Sequence, residues 1–142
     1  MSSTLPASWY SDATVWERER RGVFAKEWVL VARRDQLSQP GSYVATDVVG
    51  FPIVVVAGAD GELRGFHNVC RHRAGPLVYD GEGSLQRFVC RYHGWAYGLD
   101  GALLNARDFG DDPGLEPVCL GLLAVSVDEW AGLVFVNLAP DG

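Results

Sequence analysis

Residues 70–77 read CRHRAGPL and residues 90–97 read CRYHGWAY, and these two stretches decide the fold of the chain. They place two cysteines and two histidines in the order Cys-x-His, 17 residues, Cys-x-x-His. Each stretch therefore offers one thiolate and one imidazole, which are both good ligands for transition metals. Gly75, Pro76 and Gly94 favour tight loops, in which both side chains of a stretch can face one site. The spacing predicts a metal centre held between two loops.

Two kinds of metal centre use this ligand set. Structural zinc sites usually group cysteine with cysteine and histidine with histidine, at Cys-x2-4-Cys and His-x3-5-His spacing. In this chain each pair is mixed. Mixed pairs suit two metal ions of unlike ligation, with both thiolates on one iron and both imidazoles on the other. That is the ligand set of a Rieske [2Fe-2S] centre. The sequence favours this iron-sulfur centre over zinc.

The two stretches resemble the hallmark of the Rieske domain of Rieske non-haem iron oxygenases. This family comprises the large subunits of aromatic-ring-hydroxylating oxygenases and relatives that act on quaternary amines. The hallmark pairs Cys-x-His-Arg with Cys-x-Tyr-His-Gly-Trp-x-Tyr, which residues 70–73 and 90–97 match. In one departure, Ala74 precedes Gly75 where the family more often has glycine and then a small residue. The likeness extends to residues 67–69 and 130–138, and so covers about residues 10–140.

The resemblance implies a role for each residue of the two motifs. Cys70 and Cys90 would bind one iron as thiolates, and His72 and His93 would bind the second iron through one ring nitrogen each. Four further side chains would surround the cluster. Of these, Trp95 and Tyr92 would shield it from water, Tyr97 would donate a hydrogen bond to a cysteine sulfur, and Arg73 would lie beside it.

Comparison with the Rieske proteins of the cytochrome bc complexes predicts a low redox potential. Those proteins carry an extra cysteine in each loop, joined as a disulfide, and a serine after the His-Gly pair. This chain has Gly75 and Tyr92 where those cysteines would fall and Trp95 in place of the serine. Two features that raise the potential are therefore missing. Rieske centres span about −150 to +300 mV, and we expect this one toward roughly −150 mV.

Charged residues also accompany the motif. Arg71, Arg73 and Arg91 would offset the negative charge of the cluster and help to dock an acidic electron donor. Ordinary surface or structural arginines explain the same pattern. His67 lies in a predicted strand before Cys70, which favours a packed or solvent-facing histidine over a ligand.

Length and composition bound the class of protein. A chain of 142 residues with 48% hydrophobic residues fits one domain with its own core. A net charge of −6 disfavours nucleic acid and anionic membranes. The chain has no run of 18 apolar residues and no signal-peptide pattern, so we expect a soluble, cytoplasmic protein without membrane contact. Three cysteines in that compartment do not form a disulfide framework, and we expect Cys119 to be a half-buried apolar thiol.

Hydrophobic periodicity predicts one helix followed by many short strands. Residues 11–28 have helical spacing, with Ser11 or Asp12 as the N-cap and Gly22 as a weak point. Two Asp-Gly pairs, at residues 60–61 and 100–101, predict hairpin turns. The pattern predicts a mainly β protein, a sandwich or barrel of antiparallel sheet with one N-terminal helix. The family resemblance implies the antiparallel β-sandwich of the Rieske iron-sulfur protein fold with a two-loop cluster-binding subdomain. Predicted strands cover residues 29–33, 43–49, 51–57, 63–66, 85–89, 97–99, 102–104, 120–127 and 133–138.

We expect the chain to divide into an N-terminal segment with its helix and a Rieske domain. The segment covers residues 1–28 and the domain covers residues 29–142. The cluster-binding subdomain is expected at about residues 67–100.

The histidine count bears on function. A Rieske oxygenase activates oxygen at a mononuclear iron held by two histidines and a carboxylate. The chain has three histidines, and with His72 and His93 on the cluster only His67 is left. We therefore expect the mononuclear Fe(II) in a catalytic domain outside this chain. The leading interpretation is the N-terminal electron-transfer module of an oxygenase large subunit, as a truncated chain, a fragmentary gene product or one half of a split protein.

The sequence is also compatible with two other functions. A stand-alone Rieske ferredoxin would carry electrons as a separate protein, but the helix predicted at residues 11–28 resembles the oxygenase N-terminus. A zinc-stabilised binding module is the third. In the leading interpretation, a reductase or ferredoxin supplies single electrons, which leave through a ligand histidine toward the catalytic domain. The family implies that this domain belongs to the neighbouring subunit of a homotrimer. Ring hydroxylation, demethylation and quaternary-amine cleavage all stay open as the reaction.

Overall fold

The computed structural model describes residues 4–107 and 117–139. In these ranges the chain forms one α-helix, α1 (Ala13–Glu19), and ten strands. A π-helical turn follows α1 at Arg20–Phe24, and short 3-10 turns lie at Ala7–Tyr10, Arg34–Leu37 and Pro117–Leu120. The strands are β1 (Val29–Arg33), β2 (Ser42–Val48), β3 (Phe51–Ala57), β4 (Leu63–His67), β5 (Gly81–Ser84), β6 (Phe88–Val89), β7 (Ala96–Tyr97), β8 (Leu103–Asn105), β9 (Ala124–Trp130) and β10 (Leu133–Asn137).

The strands form two antiparallel sheets. The larger sheet has seven strands in the order β1-β10-β9-β4-β3-β2-β5, and the smaller has three in the order β6-β7-β8. Although four strands separate β1 from β2 in this order, the two strands contact each other. The larger sheet therefore curls on itself. This architecture confirms the predicted mainly β, antiparallel class with one N-terminal helix.

Strand β3 explains how the chain fills two cores. Successive side chains of a strand point to opposite faces. Ile53 and Val55 lie in the core inside the curled sheet, with Val134 and Val136 of β10. The alternate residues of β3 lie in a second core, between the larger sheet and the small sheet. Burial of both faces accounts for the uninterrupted apolar run in β3, which is typical of a strand covered on both sides.

The second core joins the small sheet to the large one. Phe66 of β4 meets Phe88 of β6 edge to face, with ring centroids 6.3 Å apart. The core also includes Trp95, which is 2% exposed, and Tyr97, which is fully buried. Full burial of a large aromatic side chain contributes on the order of 2–3 kcal/mol. The two motif stretches are therefore anchored by their own aromatic residues.

The predicted hairpin turns are confirmed. The first Asp-Gly pair joins β3 to β4, and the second joins β7 to β8. In the second turn the amide of Gly98 donates to the carbonyl oxygen of Ala102 at 2.9 Å. Gly101 has a φ of 82°, and a Cβ at that position would lie 2.5 Å from the ring of Phe66. Glycine is required there by both the backbone angle and the close packing.

The N-terminal helix is shorter than the predicted range of residues 11–28. Asp12 caps it as predicted, since its carboxylate accepts from the Thr14 amide at 2.8 Å. Regular α-helix ends at Glu19, and the chain continues as the π-helical turn that contains Gly22. Glycine in a helix interior costs roughly 1 kcal/mol, which agrees with the early end. No helix within residues 4–107 and 117–139 has the length and apolar character needed to cross a membrane.

One strand was not predicted, and several predicted limits shift. Strand β5 has the sequence Gly-Glu-Gly-Ser and is fully exposed, so it carries no hydrophobic pattern. It pairs with the edge of β2 through its backbone, and Gly83 lies against the ring of Tyr43. The strand predicted at residues 85–89 is confined to β6, and the one predicted at 120–127 begins only at Ala124. The predicted domain end at residue 142 lies outside the described residues.

Candidate metal centre

Two loops carry the four candidate ligands. Loop 1 comprises residues 68–80 and follows β4, while loop 2 comprises residues 90–95 and connects β6 to β7. In loop 1 the Cys70 amide donates to the Gly75 oxygen at 2.8 Å, and the Ala74 amide donates to the Cys70 oxygen at 3.0 Å. Loop 2 repeats the pattern, with the Cys90 amide on the Trp95 oxygen at 2.8 Å and the Gly94 amide on the Cys90 oxygen at 2.9 Å. The two loops have the same backbone turn.

The shared turn needs a left-handed residue four positions after each cysteine. Gly94 takes this conformation with φ of 77°, and Ala74 takes it with φ of 55°. An L-residue in this region costs roughly 1–2 kcal/mol. Ala74, where this chain departs from the family motif, therefore places alanine at a position where glycine is conformationally favoured.

The two thiols lie together in the second core. Cys70 is 3% exposed and Cys90 is 2% exposed. Burial raises the pKa of the Cys90 thiol, and the neighbouring Cys70 thiol raises it further. The backbone amides of Tyr92 and His93 face the Cys90 sulfur and act in the opposite direction, since they favour the thiolate. The site therefore supplies hydrogen-bond donors to a sulfur that would carry negative charge.

The two imidazoles form a second pair. The His72 and His93 rings have centroids 4.5 Å apart and meet edge to face. Trp95 stacks on His72 with a centroid distance of 5.0 Å and an interplanar angle of 9°. Burial lowers the pKa of His72, and the neighbouring His93 and Arg73 lower it further. A lowered pKa favours the neutral imidazole, which is the form that binds a metal.

The pairing discriminates between the two candidate metals. A structural zinc site needs four ligands arranged tetrahedrally around one ion. Among the described residues, no group of three or more His, Cys, Asp or Glu side chains could hold a single metal ion. Two thiols on one side and two imidazoles on the other suit an iron-sulfur unit with two irons of unlike ligation. The donor set therefore fits a Rieske [2Fe-2S] cluster.

Tyr97 connects the small sheet to one of the thiols. Its hydroxyl lies 3.2 Å from the Cys70 sulfur and accepts a hydrogen bond from the Arg71 amide at 3.1 Å. Since the oxygen already accepts from Arg71, its own proton is free to point at the sulfur. Burial raises the pKa of Tyr97, and the contact with Cys70 raises it further, so the hydroxyl stays protonated.

Other motif residues lie around the two pairs. The centroids of the Tyr92 and His93 rings lie 4.0 Å apart. Tyr92 is 64% exposed, so it covers only one side of that imidazole. A Cβ at Gly75 would lie 3.2 Å from the Cys90 sulfur and 3.5 Å from the Tyr92 Cβ. The last distance is within the range of Cβ separations in disulfides. Positions 75 and 92 thus face each other, as the comparison with the bc-complex proteins implies.

Asn68 was not predicted to shape the site. Its side chain is 4% exposed and makes three hydrogen bonds to loop 1. The amide group donates to the Val78 oxygen at 2.8 Å, and the carbonyl oxygen accepts from the Leu77 and Val78 amides, both at 3.1 Å. These bonds hold the two ends of loop 1 together. A polar residue directly after an apolar strand was the available sequence signal.

The structure also places His67, Cys119 and the three arginines of the motif. His67 is partly buried at the end of β4, and burial lowers its pKa. Cys119 is exposed, so the expectation of a half-buried thiol was wrong. It lies in the 3-10 turn that precedes Gly121. Arg71, Arg73 and Arg91 are exposed around the two loops.

Comparison with known proteins agrees with this geometry. The family model of the Rieske [2Fe-2S] domain matches residues 27–115. The carnitine monooxygenase oxygenase subunit of Escherichia coli K12 is 40% identical over 139 residues, which are 97% of this chain and 37% of that protein. One solved structure is that of a quaternary ammonium Rieske monooxygenase, which gave insights into carnitine oxidation by gut microbiota and inter-subunit electron transfer. It superposes on this chain with a TM-score of 0.92 at 36% identity, and the match covers 98% of this chain and 38% of that one.

A dioxygenase is also similar. Naphthalene 1,2-dioxygenase with bound indole superposes with a TM-score of 0.87 at 31% identity, and the match covers 94% of this chain and 30% of that one. This chain therefore spans between 30% and 38% of the length of these relatives. The matches extend over the helix, both sheets and both loops, and they are to oxygenase subunits, which gives no support to a stand-alone ferredoxin. The chain belongs to the Rieske [2Fe-2S] domain family, and nearly its whole length is similar to the corresponding parts of oxygenase subunits.

Proposed function

We propose that the chain holds a [2Fe-2S] cluster with Cys70 and Cys90 on one iron and His72 and His93 on the other. The observation that carries this assignment is the pairing of two buried thiols and two imidazoles between loops of the same backbone turn. A Rieske centre takes up and releases one electron at a time. The domain would thus receive single electrons from a reductase or ferredoxin and pass them to the catalytic domain of the oxygenase.

Residues around the proposed ligands tune and protect the site. The Tyr97 hydroxyl donates to the Cys70 sulfur, and the Tyr92 and His93 amides donate to the Cys90 sulfur. Such bonds stabilise the more negative, reduced form. Trp95 covers one face of His72 and excludes water there. Tyr92, which contacts the His93 ring, is 64% exposed, and we propose His93 as the exit for the electron.

We infer that the complete oxygenase acts on a quaternary ammonium compound. Support comes from the carnitine monooxygenase subunit and from the solved quaternary ammonium monooxygenase, which are more similar to this chain than the naphthalene dioxygenase is. The mononuclear iron and the substrate pocket would lie in the part of the relatives that this chain does not match. The inter-subunit electron transfer of the solved relative supports electron delivery to a neighbouring subunit. We propose that these subunits form a homotrimer, as the family resemblance implies.

We also propose the domain limits and the compartment. Residues 1–28 would be a segment distinct from the Rieske domain, because Val15 is the only buried side chain of α1 and the family match begins at residue 27. The subdomain that binds the cluster would be loop 1, loop 2 and the small sheet. Cys70 and Cys90 are not joined in a disulfide and are the proposed cluster ligands, which supports the cytoplasm as the compartment.

A domain exchange tests this function. The corresponding Rieske domain of the E. coli carnitine monooxygenase oxygenase subunit would be replaced by this chain, and L-carnitine-dependent electron consumption would be measured. We expect activity within about tenfold of the parent, since the two domains share 40% identity. A chimaera that folds, contains iron and sulfide and accepts an electron, yet never oxidises L-carnitine, would contradict the proposed delivery of electrons from this domain to the catalytic domain.

A further inference from the structure

Strand β10 is apolar on both faces, but only one of these faces lies in a core. Its inward residues, Val134 and Val136, are fully buried inside the curled sheet. Its outward residues, Leu133 and Phe135, are partly exposed and belong to neither of the two cores. A strand with apolar residues on both sides is typical of a sheet that is covered on both sides, as β3 is. Within the described residues, the outward face of β10 lacks such a cover.

The two strands beside β10 extend this outward face. Residues directly opposite each other in an antiparallel pair share one face of the sheet. The register places Leu30 of β1 opposite Phe135, and Trp130 of β9 opposite Leu133. Leu30 is 52% exposed and Trp130 is 72% exposed. We name Leu30, Trp130, Leu133 and Phe135 the outer apolar face.

Two charged residues border the outer apolar face. Arg33 of β1 lies opposite Leu133, and Asp128 of β9 lies opposite Phe135, so the two charges stand at opposite corners. Arg33 forms an ion pair with Asp35 at 3.0 Å, and both side chains are exposed. An apolar centre with a polar border is the usual anatomy of a protein interface. The composition of the face therefore fits a protein surface better than water.

The backbone around Trp130 is held in place. In the turn between β9 and β10, Ala131 has a φ of 52° and Gly132 a φ of 77°. The Arg34 amide donates to the Gly132 oxygen at 2.9 Å, and the Arg34 guanidinium pairs with Glu129 at 3.0 Å. Tryptophan is among the residues most enriched at the energetic centres of protein interfaces. An exposed tryptophan on a fixed hairpin therefore indicates an anchor for a partner.

The outer apolar face lies away from the proposed cluster ligands. Strand β9 begins beside the end of β4, where Ala124 pairs with Phe66, and loop 1 follows β4. The seven residues of β9 run away from that loop. Trp130, at the far end, therefore lies roughly 20 Å along the sheet from Ala124. At the end nearer to loop 1, the Asn137 side chain donates to the Lys26 oxygen at 3.0 Å, so the N-terminal segment covers that end of β10.

We infer that the outer apolar face, with Trp130 as its anchor, packs against the catalytic domain of the same oxygenase subunit. The two quaternary-amine relatives are matched over 37% and 38% of their length, so more than half of each lies outside the match. Delivery of electrons from the two loops to a neighbouring subunit requires that the subunit's own catalytic domain contact the Rieske domain elsewhere. The outer apolar face provides that contact and leaves both loops free. The inference rests on the proposed function and adds the surface that joins the two domains.

Hydroxyl-radical footprinting with mass spectrometry tests the surface, because it measures the solvent access of single side chains. Oxidation of Trp130 would be compared between this chain with its cluster and the chimaera in which it replaces the Rieske domain of the E. coli subunit. We expect the rate of Trp130 oxidation to fall at least about fivefold in the chimaera, since a packed interface excludes water from its centre.

Substitutions test the same surface through stability. Trp130→Glu and Leu30→Glu place a charge on the face, and Leu30→Glu keeps the test valid if Trp130→Glu disturbs the hairpin. Leu104→Glu is the matched control, since Leu104 is 58% exposed and lies on β8 of the small sheet. The temperature of cluster loss would be followed by visible circular dichroism. We expect the face variants to lower it by about 5 °C or more in the chimaera and by less than about 2 °C in this chain alone. Leu104→Glu should change it by less than about 2 °C in both.

Equal oxidation of Trp130 in the two proteins, or equal effects of Leu30→Glu and Leu104→Glu in the chimaera, would overturn the inference. A dimer of this chain in sedimentation that Trp130→Glu separates would also overturn it, because the face would then join two copies. The proposed function fails in a different way. A chimaera that protects Trp130 but does not oxidise L-carnitine would support the surface and contradict electron delivery, whereas an active chimaera with reactive Trp130 would contradict the surface alone.

Discussion

At the scale of single residues, burial separates the proposed ligand cysteines from the third cysteine. Cys70 and Cys90 lie in a core and Cys119 is exposed. We expect Cys90→Ser and His93→Ala to prevent cluster assembly and to lower solubility, because cluster binding is coupled to folding. Cys119→Ser should keep full iron and sulfide content, measured chemically on the purified proteins. A red, fully loaded Cys90→Ser protein would contradict the ligand assignment.

The hydroxyl of Tyr97 sets part of the redox potential. A hydrogen bond to the Cys70 sulfur favours the reduced state, so its removal should lower the midpoint potential. For Tyr97→Phe we expect a fall of about 40 mV, the equivalent of about 1 kcal/mol for one electron. Tyr43→Phe is the control, since the Tyr43 hydroxyl lies against Gly83 and no hydrogen bond joins it to a thiol among the described residues. A spectroelectrochemical titration in which Tyr97→Phe has an unchanged or higher potential would exclude this role.

Ala74 carries backbone strain that glycine would release. Its φ of 55° is that of the left-handed region, which Gly94 occupies at the equivalent position of loop 2. Ala74→Gly should stabilise the protein by about 0.5–1 kcal/mol, or about 2–4 °C in thermal midpoint. Gly94→Ala should destabilise by about 1 kcal/mol, because it adds strain without a close contact. Thermal unfolding monitored by circular dichroism measures both, and a lower midpoint for Ala74→Gly would disprove the strain.

At the scale of structural elements, Asn68 holds loop 1 in shape. Its replacement by leucine would leave three backbone groups of the loop without their partner, at a cost of about 2–4 kcal/mol. We therefore expect Asn68→Leu to lose iron during mild treatment with a chelator. Asn137→Leu is a matched control, because Asn137 is also buried and bonds the Lys26 oxygen. It should lower the thermal midpoint and retain iron. Equal iron loss in both variants would mean that Asn68 acts only through global stability.

The elements differ in how far the sequence predicts them. Strand β3 and its hairpin with β4 follow directly from an apolar run and an Asp-Gly turn. Strand β5 could not be predicted, because it is exposed and held by backbone pairing with β2. The end of α1 at Glu19 depends on a π-helical turn that periodicity does not reveal. Local chemistry therefore predicts the hairpins, whereas edge pairing and helix irregularity depend on tertiary contacts.

The residues of the candidate site also differ in how far the sequence predicts them. Ligand identity follows from the spacing of cysteine and histidine, and Tyr97 follows from the family motif. The contribution of Asn68 depends on the path of loop 1 back past the end of β4, which is a long-range property. Cys119 likewise lies exposed in a 3-10 turn that the hydrophobic pattern does not reveal.

At the scale of the whole molecule, the fold explains why two separate loops can form one site. The curled sheet supports β4, the small sheet supports β6 and β7, and the second core fixes these strands relative to one another. Loops 1 and 2 leave this common core with the same backbone turn, which brings thiol to thiol and imidazole to imidazole. Arg71, Arg73 and Arg91 lie exposed on these two loops, in a chain with a net charge of −6.

Pulsed electron paramagnetic resonance of the dithionite-reduced protein, with iron, zinc and sulfide measured on the same sample, tests this arrangement most directly. We predict a Rieske-type rhombic signal with couplings to two histidine nitrogens, two irons and two sulfides per chain, and negligible zinc. Bound zinc without a signal, or a reduced cluster without nitrogen coupling, would contradict the assignment of His72 and His93 to one iron.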